Sequence, residues 1–303
     1  KSTLVQLPLF VRFLLQSVWY YTLSCVYLPV KFLNNCCVLF HCDVMFSSLS
    51  RDKKGALEYI NNYKPQTEGQ QLRILLHGPV GAGKSSFINS VQSHFVFTSI
   101  NCIFSVCGSQ YTTYKIQKDN SETFYPFVFN DIMGLDPQRG VLVDDVKLAF
   151  TGHVKEGYVF NPESKLSEGN EFYNKSPTVN DKVHVLVCIV PADTLSSMSD
   201  ETVQKLRDIR LEASRLGIPQ VTVLTKVEEA CPEIKRDLKN VYRSIILKEK
   251  QFSADVGIPM NCIFPVRNYY EEIDLSDDTD ALILSALRRI INYGGDFFNR
   301  KTV

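Results

Sequence analysis

Gly78-Pro79-Val80-Gly81-Ala82-Gly83-Lys84-Ser85 fits the pattern G-x-x-x-x-G-K-[ST], and the residues on either side show how it is held. The apolar run Leu72-Arg73-Ile74-Leu75-Leu76 before it reads as a buried strand, and Ser85-Ser86-Phe87-Ile88-Asn89-Ser90-Val91 after it reads as a helix. Glycines at 78, 81 and 83 allow backbone conformations that side chains forbid, so successive N–H groups, with Ala82 and Ser86 in the same set, converge on phosphate oxygens. Lys84 adds a point charge for the β- and γ-phosphates, and the Ser85 hydroxyl is a Mg²⁺ ligand. The following helix turns its positive end toward the same place. A bare turn does not require the Lys-Ser pair, so the stretch reads as a nucleotide site.

A phosphate loop alone does not choose between ATP and GTP. Phe124 to Asn130 runs apolar into Asp131-Ile132-Met133-Gly134, a D-x-x-G at a strand end. There Asp131 holds Mg²⁺ through water and the Gly134 N–H meets the γ-phosphate. Further on, Val221-Thr222-Val223-Leu224 leads into Thr225-Lys226-Val227-Glu228, a T-K-x-E where GTPases commonly place [NT]-K-x-D. Lys226 lies along the base in this reading. The Glu228 carboxylate accepts from guanine N1–H and its exocyclic amine, groups that adenine lacks in that arrangement. Glutamate is one methylene longer than aspartate, which weakens either affinity or guanine selectivity. Ile263-Phe264-Pro265-Val266-Arg267-Asn268 stands where a short backbone contact to the base is expected, and takes a supporting role.

The switch I ligand is the least legible part. Thr112 and Thr113 stand near the right place, but Tyr111 to Ile116 alternates like a strand, which favours sheet-face threonines, and Ile100 to Val106 is apolar for a switch loop. Residue 135 is Leu where many GTPases carry a water-orienting Gln, so hydrolysis is expected to be slow or to depend on a group supplied from elsewhere. His77, beside the loop, is expected to serve the local backbone before any nucleotide.

Around these motifs, strand-like runs at 72–76, 111–117, 124–130, 183–190, 220–225 and 261–266 alternate with helical stretches near 84–94, 141–150, 199–216, 232–250 and 278–293. The alternation implies an α/β domain with a mostly parallel sheet flanked by helices on both faces. The domain spans 71–298, preceded by a lead-in helix and linker at 51–70 and followed by a tail at 299–303. Residues 151–182, rich in Gly, Asn, Ser, Pro and charge, form an insertion or mobile loop.

The 303 residues contain 33 basic and 33 acidic side chains with no long like-charge block, which excludes the field that would advertise a nucleic-acid partner. Nine cysteines without a C-x-x-C pair or zinc spacing read as free thiols in a reducing compartment. Residues 1–50 differ from the rest as an apolar extension. Its stretch 13–30 carries no charge and just reaches spanning length, though Gln16, Pro29 and several hydroxyls dilute it. Membrane contact through 13–30 and packing on the domain both stay open.

With these motifs in place, the chain resembles the interferon-induced protein 44 and 44-like family. The likeness is close at Asn62-Tyr63-Lys64-Pro65, at Gly78 through Phe87, at Phe160-Asn161-Pro162 and at Leu282-Ile283-Leu284-Ser285-Ala286-Leu287-Arg288-Arg289, and extends over about 55–298. The resemblance implies a Ras-like P-loop fold, GTP or GDP with Mg²⁺ as ligands, a cytoplasmic location, and a place in the interferon-driven immune response to virus. It also implies protein partners, with homo-oligomerisation left open. Residue by residue it carries over Gly78 to Ser85 as phosphate loop, Asp131 to Gly134 as the start of switch II, and Thr225 to Glu228 as the guanine motif. Residues 1–50, the segment before Tyr111, and Glu228 depart from the family pattern. A scaffold on a catalytically inactive GTPase-like domain is the rival expectation, and a membrane-anchored GTPase is a third.

Overall fold

A computed structural model describes residues 52–96, 108–119, 122–270 and 275–301. The expectations for 1–50, for the apolar stretch 100–106 and for six of the nine cysteines lie outside those residues; Cys188, Cys231 and Cys262 are free thiols.

Six strands form one sheet: β1 (Leu72–His77), β2 (Thr112–Gln117), β3 (Phe124–Asp131), β4 (Val185–Pro191), β5 (Gln220–Thr225) and β6 (Ile263–Pro265). Their order is β2-β3-β1-β4-β5-β6, with β2 antiparallel to β3 and every other pairing parallel. Parallel neighbours need crossovers, and the helices that supply them cover both faces. This is the Ras-like P-loop architecture that the motif order implies.

Strand periodicity divides the core. Along β4, Val185, Val187 and Ile189 enter one apolar cluster, while Leu186, Cys188 and Val190 enter the other. Successive side chains alternate faces, so a strand buried on both sides reads as an unbroken apolar run. Helices α1 (residues 52–62), α2 (Lys84–Phe95) and the long C-terminal helix cover the first face through Ile60, Phe87, Val91, Leu287 and Ile291. Helices α3 (Val143–Phe150), α4 (Asp200–Arg215) and α5 (Ile246–Val256) cover the second through Val146, Phe150, Leu206, Ile209 and Phe252. The C-terminal helix, α6, spans Asp277–Lys301 and outruns the expected 278–293.

The helix expected over 232–250 is interrupted. Asp237 takes an extended backbone (φ −150°, ψ 114°) and its carboxylate accepts from the Lys239 N–H at 3.0 Å. That local bond competes with helix continuation and splits the stretch into short turns before α5.

The segment 151–182 packs onto the domain. Val154, Tyr158, Phe160 and Leu166 are buried in the second core, and α3 holds the segment through fully buried Asp145, which accepts from the Leu166 N–H at 2.8 Å and the Tyr158 hydroxyl at 3.4 Å. The same segment protects the sheet margin: Glu156 accepts from the Thr113 N–H at 2.9 Å, and Gln92 of α2 accepts from the Gln117 N–H at 3.1 Å. Edge donors satisfied by side chains are poor templates for pairing with another strand.

Candidate nucleotide site

The site is assembled at the C-terminal ends of β1, β3, β4 and β5, where parallel α/β sheets open a crevice. Gly78 has φ 145°, and a Cβ there would sit 1.9 Å from the Ile189 carbonyl oxygen, so glycine alone lets the loop leave β1 against β4. The first bond of α2 runs from the Phe87 N–H to the Gly83 oxygen at 2.9 Å. The amides of Lys84, Ser85 and Ser86 therefore precede any intrahelical acceptor and form an anion-binding end. Lys84 is 9% exposed, and its Nζ donates to the Gly78 and Pro79 oxygens at 3.3 and 3.2 Å, which holds its charge across the loop.

Ser85 Oγ donates to Asp131 Oδ2 at 2.7 Å, so the two expected Mg²⁺ ligands, 46 residues apart, stand side by side. Burial raises the Asp131 pKa, opposed by the Ser85 hydrogen bond and the Lys84 charge. Its Oδ1 is buried without a hydrogen-bond partner among the described residues. A hydroxyl beside a desolvated carboxylate with an unsatisfied oxygen suits a hard divalent cation, which takes oxygen ligands and favours the ionised form.

His77 is buried, and burial together with the nearby Lys84 charge pushes its pKa down to about 3. Its imidazole is neutral at physiological pH and adds no cation to the phosphate site. Its Nδ1 has no hydrogen-bond partner among the described residues, so the backbone contact expected of it is not made through that atom.

The T-K-x-E stretch and Asn268 are fastened to the phosphate loop by two bonds to consecutive carbonyls. Thr225 Oγ1 donates to the Ala82 oxygen at 2.6 Å, and Asn268 Nδ2 donates to the Gly83 oxygen at 3.2 Å. Lys226 then takes a left-handed backbone (φ 53°, ψ 36°), strained by about 1 kcal/mol or more for a non-glycine residue. This bend turns the chain into the helical stretch Val227–Ala230. Lys226 and Glu228 line a cavity of about 560 Å³ together with Gly83, Ser86, Asn268 and Tyr270. Of the residues expected to bind nucleotide, Gly83, Ser86, Lys226 and Glu228 line this cavity, while Gly78, Ala82, Gly134 and Thr225 are buried beneath or beside it.

Two residues were not singled out in the sequence, and a third, Leu135, was singled out only for its side chain. Asn268 stood in a stretch assigned only a supporting role, and its bond to Gly83 spans 185 residues with no local signal. Tyr270, 79% exposed at the cavity rim, follows no motif. Leu135 pairs its backbone with the phosphate loop, its N–H donating to the Gly78 oxygen at 2.9 Å and its oxygen accepting from the Val80 N–H at 3.1 Å. The Leu135 side chain is 2% exposed, inside the second core, and cannot orient water at the loop. Of the switch I threonines, Thr113 is a sheet-face residue: Asn130 Nδ2 donates to its Oγ1 at 2.8 Å, and that hydroxyl donates to Glu156.

No protein-family model matches the chain. It is 33% identical to interferon-induced protein 44 of Pan troglodytes over 258 residues, which is 81% of this chain and 57% of that protein. The mouse protein of the same name is 33% identical over 250 residues, covering 80% of this chain and 59% of the relative. Human interferon-induced protein 44-like is 30% identical over 250 residues, 78% of this chain and 55% of that one. The chain therefore spans a little over half the length of the curated relatives it matches. Among solved structures, Toc33 of Arabidopsis thaliana in complex with GDP and Mg²⁺ aligns at a TM-score of 0.46 and 15% identity, over 83% of this chain and 96% of Toc33. A probable GTP-binding protein engB aligns at a TM-score of 0.38 and 9% identity, over 75% and 99%. Identity of 30–33% over about four fifths of this chain makes it a relative of interferon-induced protein 44 and of interferon-induced protein 44-like.

Proposed function

We propose that this chain is a guanine-nucleotide-binding protein of the interferon-driven antiviral response, with hydrolysis that is weak or conditional on a second protein. The observation that supports it is the pair of bonds from Thr225 and Asn268 to Ala82 and Gly83, which join the phosphate loop to the residues bordering the cavity. Lys84 and the α2 amides bind phosphate, and Ser85 and Asp131 would hold Mg²⁺, which would neutralise phosphate charge. Lys226 and Glu228 select the base. The proposed setting is the cytoplasm, with residues 13–30 as a segment for membrane contact.

A non-hydrolysing scaffold is the second reading, favoured by Leu135, whose buried side chain leaves the water-orienting position without a polar group. Calorimetric titration of the full chain with GTP, GDP and ATP in Mg²⁺ tests the binding claim, with Lys84→Ala as control. Guanine-selective binding lost in the folded variant supports it. No binding by the folded wild-type chain overturns it. A turnover assay then separates enzyme from scaffold.

A further inference from the structure

Residues 134–141 begin at the glycine of the D-x-x-G and occupy the place of a nucleotide-sensitive switch, and protein contacts tie down both ends and the turn between them although Pro137, Gln138 and Arg139 are exposed. At the near end, Leu135 is laddered to Gly78 and Val80 by the two backbone bonds given above. Gly134 is pressed so closely on the phosphate loop that a Cβ would lie 2.7 Å from Val80 Cγ2 and 2.8 Å from Val80 Cα. The turn then closes on itself. Asp136 Oδ1 accepts from the N–H groups of Gln138 and Arg139 at 2.9 and 2.8 Å, and the Gly134 oxygen accepts from the Val141 N–H at 3.2 Å.

The outer side is held by one long side chain. Lys205 Nζ donates to the Asp136 oxygen at 2.7 Å and the Pro137 oxygen at 3.3 Å, reaching across 69 residues of sequence. Its own position is firm, because the next residue, Leu206, and Ile209 anchor α4 in the core at 0% exposure. The backbone oxygens at 136 and 137 are thus tied to a rigid helix, while the Leu135 side chain pulls the same segment inward.

A ligand shifts a conformational equilibrium only through a difference in its free energy of interaction with the two states. Where switch loops respond to the third phosphate, that phosphate and its Mg²⁺ supply the contacts that order them. Here intramolecular contacts already supply the ordering. Resting on the nucleotide-binding reading above, we propose that Lys205 is a positioning residue that keeps residues 134–141 ordered whichever nucleotide is bound. The third phosphate then finds this segment in place, and its disorder-to-order transition is not how the nucleotide state is signalled.

Amide hydrogen exchange of the full chain, read by mass spectrometry on peptides covering 134–141, tests this with GDP, with GTPγS and without nucleotide. Expected are exchange rates that agree within roughly threefold between the GDP and GTPγS forms of the wild type. Lys205→Ala should speed exchange in the segment about tenfold or more, and Lys205→Arg, which keeps a cationic donor, should restore protection. A wild-type segment that gains about tenfold protection on passing from GDP to GTPγS would overturn the proposal. So would an alanine variant with unchanged exchange. If the chain binds no nucleotide, the proposed function fails separately, and the Ala and Arg variants measured without nucleotide still decide whether Lys205 holds the segment.

Discussion

Thr225 and Ala82 are 143 residues apart in sequence and joined by a 2.6 Å hydrogen bond from the threonine hydroxyl to the loop carbonyl. Both residues are fully buried, so the bond is shielded from water and fixes the end of β5 against the phosphate loop. The T-K-x-E stretch and the phosphate loop therefore share one rigid junction.

Thr225→Val keeps the shape of that side chain and removes its donor. The Ala82 oxygen loses the partner, at a cost of about 1–3 kcal/mol. Nucleotide affinity should fall roughly tenfold with a lower unfolding midpoint, and Thr225→Ser should recover most of both. Calorimetry and urea unfolding on the three chains check this.

Glu228→Ala should remove guanine preference specifically. Hydrogen bonds to a charged group contribute about 1.5–3 kcal/mol, so GDP affinity should drop by about 10- to 100-fold while ADP affinity stays nearly constant. Equal losses for both nucleotides would mean that Glu228 does not read the base.

Gly78→Ala should be among the most damaging small changes in the chain. The added Cβ would meet the Ile189 carbonyl at 1.9 Å, and alanine disfavours φ 145°. Moving backbone to relieve that overlap should cost about 3 kcal/mol or more in urea unfolding. Gly81, with φ 74° and no atom within 4 Å of its Cβ position, should cost about 1 kcal/mol when changed to alanine.

Glu249 on α5 is 8% exposed, and burial pushes its pKa up to about 7 from an ordinary value of 4.5. The native state retains this proton over a range where the unfolded chain has lost it. The stability linked to the proton is full below about pH 4.5 and is lost as pH rises through 7. Glu249→Gln should therefore raise the unfolding midpoint above pH 7, by the equivalent of roughly 1–3 kcal/mol, and have little effect near pH 4.5. Thermal unfolding across pH 4.5–8 gives the comparison.

The phosphate loop was legible because its chemistry is contiguous: glycine spacing, the Lys-Ser pair and the flanking strand and helix all lie within about twenty residues. The buried strands were legible because β4, buried on both faces, has no polar alternation to confuse the pattern. The helix after residue 232 was misjudged in its continuity because a single Asx bond at Asp237 outweighed a helical pattern. Packing of the insertion on the core was hidden because Asp145 accepts from backbone and hydroxyl groups that no side-chain motif marks.

The amino-acid sequence by itself determined which chemical groups stand in the phosphate-loop, D-x-x-G and T-K-x-E motifs and the alternating order of strands and helices, since both depend on neighbours along the chain. Only the tertiary structure decided what those groups face. It set Ser85 beside Asp131, tied Thr225 and Asn268 to successive loop carbonyls, sank Leu135 into the core and stretched Lys205 to the switch segment. The reason is that each of these pairings closes over 46 or more residues or depends on helix-to-sheet packing. Hydrogen bonds and apolar contacts of that range are selected by how whole elements fit together, and local spacing carries no record of the fit.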